Sequence, residues 1–162
     1  MSNTEKEEIM TITQKMEKLT LDLNNARVAE YEAINKSAKA YVSTNIAQCK
    51  KVAGELKKAD AEYAKAAAAF TKKPTASNQH ELSVAKTNLE TSVAGYNTIV
   101  NNISAALVEV KNNYALINEY VHVVDAAKAA KHADDYANYS ASIEKTMNAI
   151  AKSLRNCKSV EK

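Results

Sequence analysis

Residues 93–124 read VAGYNTIVNNISAALVEVKNNYALINEYVHVV, and the fold follows from the rhythm of that stretch. Val93, Tyr96, Val100, Ile103, Leu107, Val110, Tyr114, Ile117, Val121 and Val124 recur at alternating steps of three and four, and all ten are apolar. With 46% apolar residues in the chain, such a run at fixed positions arises by chance about once in two thousand trials. The spacing is that of the a/d seam of a left-handed coiled coil, which places every member on one helix face. Asn112 and Asn113 leave the phase undisturbed, so the helix is predicted to run through them. Leu82, Ala85 and Leu89 lead into the seam, and Ser77, or Asn78 with Glu81, supplies a cap.

Upstream, Thr71–Ser77 holds the only proline, Pro74, which disfavours helix at Lys73 and is followed by cap-forming residues. The chain is expected to turn there. Before it, Val42, Ile46, Cys49, Ala53, Leu56, Asp60, Tyr63, Ala67 and Phe70 form a second seam with only Asp60 polar. A further run, Ile9, Ile12, Met16, Leu19, Leu23 and Ala26, has the same spacing, and Glu5, Glu7 and Glu8 suit the positive end of a helix. Ala26, Glu30, Ile34, Ala38 and Val42 join the two runs in steps of four, as in a stutter. An unbroken helix over about 4–71 would be on the order of 100 Å long at 1.5 Å per residue. Downstream, Tyr136, Tyr139, Ile143, Met147, Ile150, Leu154 and Cys157 make a last seam, displaced in phase from the preceding one. A reversal around Lys131–Asp135, with Asp134 or Asp135 as N-cap, accounts for the displacement.

These elements predict an all-α, elongated antiparallel three-helix bundle of coiled-coil type, with helices near 4–71, 78–130 and 134–158 in a single domain spanning 1–162. The alternative is a long two-helix hairpin that dimerises. Two glycines and one proline in 162 residues starve the chain of the turns that sheets require. Eight Tyr, one Phe and no Trp leave alanine to do much of the packing, which suits thin helix interfaces. In architecture alone this pattern resembles spectrin-type repeats and the slender helical ectodomains of some parasite surface proteins, with no shared motif.

The charge of +3 is too mild to require a nucleic-acid partner, and two Arg with few aromatics disfavour one. No apolar run approaches the ~20 residues of a membrane span, and the first residues do not read as a signal peptide. The expectation is a soluble chain, cytoplasmic by default, with a trimmed secreted form as the other option.

Candidate chemistry is sparse. Glu119-x-x-His122 is half of a di-iron bundle site, but His80 and His132 lack a matching acid at that spacing, so no metal or cofactor is expected. Gly54 and Gly95 stand alone inside helices, which excludes a phosphate loop. No catalytic constellation is present, and the chain is expected not to be an enzyme. Cys49 and Cys157 both lie in seams; if the third helix returns parallel to the first, residue 157 arrives near the forties, and a disulfide becomes feasible. Lys51, Lys58, Lys65 and Lys72, flanked by Lys50, Lys57 and Lys73, form a basic stripe on the first helix.

Three functions are thereby framed. The first is a non-catalytic scaffold that binds a protein partner or associates with itself through its long helices. The second is a secreted or surface binding module stapled by Cys49–Cys157. The third, and weakest, is membrane-surface binding through the lysine stripe.

Overall fold

The computed structural model describes residues 3–157, with backbone alone at 3–10, 122–124 and 126. Three helices follow one another: α1 (Asn3–Lys72), α2 (Ala76–Val124) and α3 (Ala126–Ser153). The chain is an all-α three-helix bundle, with no strand among the described residues. α1 is one continuous helix of 70 residues.

The caps explain the boundaries. Thr75 Oγ1 accepts the Asn78 amide proton at 3.1 Å, so Thr75, not Ser77 or Asn78, caps α2. Asn78 instead turns back, and its Nδ2 donates to the carbonyls of Lys73 (2.9 Å) and Ala69 (3.4 Å), which also accept from the amides of Thr75 and Lys73. The second junction lies earlier than the expected Lys131–Asp135. Asp125 Oδ1 accepts from the amides of Ala127 (3.0 Å) and Lys128 (3.3 Å), so one carboxylate at the positive end of α3 makes the break without glycine or proline. The expected helices 78–130 and 134–158 are corrected accordingly, and Asp134 and Asp135 fall inside α3. Replacing Asp125 by Ala is expected to destabilise the fold by about 1 kcal/mol; an unchanged urea midpoint would show that the cap contributes nothing.

The chain divides into two compact units, and each helix contributes to both. One comprises Ala40–Leu107 with the described residues from Ser140. Its core is aliphatic: Val42, Cys49 and Leu56 from α1 are fully covered, and Ile103, Ile143, Ile150 and Leu154 complete it. A Cβ added at Gly95 would lie 3.9 Å from Val52, so α2 passes close to α1 there. Lys50, Ala53 and Lys57 of α1 line one groove with Lys145, Ala149 and Ser153 of α3, so α3 packs beside α1 in this unit.

The other unit comprises the described residues up to Lys39 with Val108–Tyr139. Its interior sets aromatic and polar groups beside the buried aliphatic Val110, Ile117 and Val121. Tyr31 stacks on Tyr120 at 5.8 Å, and Tyr114 meets Tyr136 at 5.4 Å. The Lys39 ammonium lies over the rings of Tyr114 (4.6 Å) and Tyr139 (4.7 Å) and donates to the Tyr114 hydroxyl. Asn35 and Asn113, at 5% and 7% exposure, are buried among them.

The stutter expected between Ala26 and Val42 is not how α1 buries itself. Ile34 is 40% exposed, and the covered or half-covered stripe reads Asn24, Val28, Tyr31, Asn35, Ala38 and Val42, an unbroken alternation of four and three. The seam of the bundle therefore continues backward through Asn35, a polar residue that the apolar pattern skips.

Candidate functional site

The feature that α1 leaves open is its other apolar seam. Ile12, Met16, Leu19 and Leu23 are 58%, 64%, 68% and 54% exposed; the Ile9 side chain lies outside the described ones. Arg27 is held by α2: it hydrogen-bonds the Tyr120 hydroxyl at 3.1 Å and lies 5.2 Å from its ring. Asn24 belongs to the stripe that faces the bundle, whereas Leu23 belongs to the uncovered seam, and adjacent residues of a helix project about 100° apart. The open seam is thus rotated away from the face α1 uses for its own bundle. Carried toward the N-terminus in the same four-three steps, the bundle-facing stripe meets Leu21, then Glu17 and Gln14, so it turns mainly polar where the other seam is apolar.

The metal half-motif gains no partners. Glu119 is exposed, the His122 side chain lies outside the described ones, and no cluster of three potential metal ligands occurs among the described residues. His132 instead approaches Glu32 at 3.6 Å beside a cleft of about 280 Å³ that Asn35 and Asp135 also line.

Cys49 and Cys157 are both buried and both free. The feasible alternative, a disulfide between them, fails on register. Cys157 lies near Lys57 and Asp60, some eight to eleven residues along α1 from Cys49, so the two thiols are on the order of 15 Å apart. A disulfide needs Cα atoms within about 7 Å. Burial pushes the Cys49 thiol up; burial, then Asp60, pushes Cys157 up against a smaller opposing pull from Lys57. Neither is a thiolate nucleophile at neutral pH. Aromatic disulfide reagents are expected to react slowly with the native chain and to titrate two thiols in denaturant; rapid native reaction would contradict this packing.

Burial also raises Tyr96, helped by Cys49, and Tyr139, helped by Tyr114. All four groups hold their protons more tightly folded than unfolded. Their contribution is complete below the ordinary thiol range and is lost as pH climbs through it. The denaturation midpoint is therefore expected to fall above about pH 8.5, and a midpoint flat to pH 10 would refute this.

Lys50, Lys51, Lys57, Lys58, Lys65, Lys72 and Lys73 are all exposed, but they do not line one groove. Lys50 and Lys57 flank a groove of about 460 Å³ with Lys145 over a floor of Ala53, Gly54, Ala149 and Ile150. Lys65 lines a different groove with Glu62, Glu81 and His80. No described helix is long and apolar enough to cross a membrane.

Sequence reasoning missed Asn35 and the Lys39–Tyr114–Tyr139 cluster. Extending the Val42 seam backward by strict four-three steps, without insisting on apolar members, would have found Asn35. Comparison with known proteins adds no name to this geometry: no family model, no curated protein and no solved structure matches the chain.

Proposed function

We propose that this chain is a non-catalytic helical interaction protein that docks a helix of a protein partner on the open seam of α1. The observation that carries the proposal is the exposure of four large apolar residues, Ile12, Met16, Leu19 and Leu23, at coiled-coil spacing. A helix draws most of its stability from packing an apolar face, and these four stay more than half exposed among the described residues. Covering each of the four contributes about 1–2 kcal/mol before the cost of association is subtracted. A partner helix with its own a/d seam fits that surface.

The experiment compares the full chain with a Met16→Lys, Leu19→Lys variant, both immobilised against extract from the native source. The wild-type chain is expected to retain a protein that the variant loses, with amide exchange slowed across residues 12–23 in the complex. Helical content is expected to stay close to wild type because neither side chain is covered. Identical retention by the two chains, with no slowing at 12–23, would sink the proposal.

A second reading, binding to an anionic surface through the lysines, is favoured by Lys145 joining Lys50 and Lys57 around one groove. Vesicles rich in anionic lipid are expected to bind the native chain and to release a Lys50→Glu, Lys57→Glu, Lys145→Glu variant. Equal sedimentation of both with the vesicles would remove this reading.

A further inference from the structure

We propose that the partner on the open seam of α1 is a second copy of this chain, with the two segments antiparallel and centred between Met16 and Leu19. This rests on the docking reading above and names its occupant.

The argument begins with heptad positions. Taking Met16 and Leu23 as a and Ile12 and Leu19 as d, the flanking g positions are Lys15 and Asp22, and the e positions are Thr13 and Thr20. In an antiparallel pair a faces d, so Met16 meets Leu19 of the other copy and Ile12 meets Leu23, each twice by symmetry. That gives four layers with no polar member. Antiparallel packing also sets g against g, which brings Lys15 of each copy opposite Asp22 of the other. Two opposite-charge pairs flank the layers, and the e positions opposite each other are uncharged threonines. The seam is complementary to itself in both shape and sign.

A parallel pair uses the same residues less well. There g faces the following e, so Asp22 would meet Arg27, and Lys15 would meet Thr20. Arg27 is already engaged by Tyr120 in its own chain, by a 3.1 Å hydrogen bond and by its ring. The Thr20 hydroxyl donates to the Met16 carbonyl at 3.0 Å and offers no charge. Lys15 would then face no acid. The antiparallel span from Ile12 to Leu23 also stops short of Arg27, so the second copy leaves the Arg27–Tyr120 contact in place.

The bundle-facing stripe supplies the reason for a separate partner. A longer α2 would meet Asn24, Leu21, Glu17 and Gln14, a mainly polar surface, whereas the apolar seam points about 100° away from it. Four layers make a short interface, below the size of stable permanent ones, so the pair is expected to form in the micromolar range and above and to dissociate on dilution.

Sedimentation equilibrium of the full chain across micromolar to near-millimolar concentration tests this, using Asp22→Lys, Lys15→Asp and the double exchange. Each single variant places like charges opposite each other twice and is expected to weaken self-association about tenfold. The double exchange is expected to restore it. Mixing the two single variants is likewise expected to restore pairing, as a heterodimer, because one chain then carries acids at both g positions and the other carries lysines at both. Leu19→Lys is expected to abolish pairing, with circular dichroism at low concentration confirming that every variant folds. Loss in the single variants without rescue by the double exchange or by mixing would overturn the antiparallel arrangement. A wild-type chain that stays monomeric throughout would overturn self-pairing altogether. In that case the docking reading still stands if Met16→Lys, Leu19→Lys loses a retained protein, and falls as well if it does not.

Discussion

Leu56→Ala is expected to destabilise the chain by about 3 kcal/mol, while Leu19→Ala in the same helix is expected to change the stability of the dilute monomer by less than about 0.5 kcal/mol. Leu56 has no exposed surface and belongs to the unit where α2 and α3 both flank α1. Truncating it removes three carbons from a closed site, so the cost combines lost transfer energy with the cavity left behind. In a chain of this length each kcal/mol moves the thermal midpoint by roughly 2–4 °C, giving a drop of about 6–12 °C. Leu19, at 68% exposure, has little to lose. Thermal unfolding at low micromolar concentration checks both. A comparable drop for Leu19→Ala would mean that the N-terminal seam is covered within the chain, and the functional proposal would fail with it.

That contrast marks how far the sequence could be read. Three helices, their antiparallel order and most of the buried positions of α2 and α3 were legible, because burial there follows a strict three-four rhythm of apolar residues. Val110, Ile117, Val121, Ile143 and Ile150 are all covered as that rhythm implies. α1 was harder. It carries two seams about 100° apart, and apolarity alone cannot say which of them the chain itself covers. Treating both as one stripe required a stutter through Ile34, whereas the bundle takes Asn35. The Asp125 junction was missed for a related reason: a single side-chain cap ends α2 with neither of the residues that usually punctuate a helix. The disulfide failed on axial register, which the spacing of two cysteines does not encode.

The second large effect concerns the polar residue that broke the pattern. Asn35 Oδ1 and Asn113 Nδ2 are buried without a hydrogen-bond partner, and the register of Lys39 with Tyr114 and Tyr31 with Tyr120 sets them about one helical turn apart along the contact of α1 with α2. An unsatisfied buried polar group costs about 1–3 kcal/mol, and Asn is also a poorer helix former than Ala by about half a kcal/mol. Replacing both by Ala removes the two penalties and leaves only a small loss of volume. The Asn35→Ala, Asn113→Ala variant is therefore expected to be more stable than the native chain by about 2 kcal/mol, raising the midpoint by about 4–8 °C. What it gives up is specification: a buried Asn in a coiled-coil seam penalises every register that strands it among apolar neighbours, so amide exchange in residues 28–38 is expected to become less uniform even as the midpoint rises. If the double variant instead unfolds earlier, and the losses of the two single variants add up to more than the loss of the double, the asparagines bond each other. Their role would then be to hold α1 against α2 rather than to exclude wrong alignments of it.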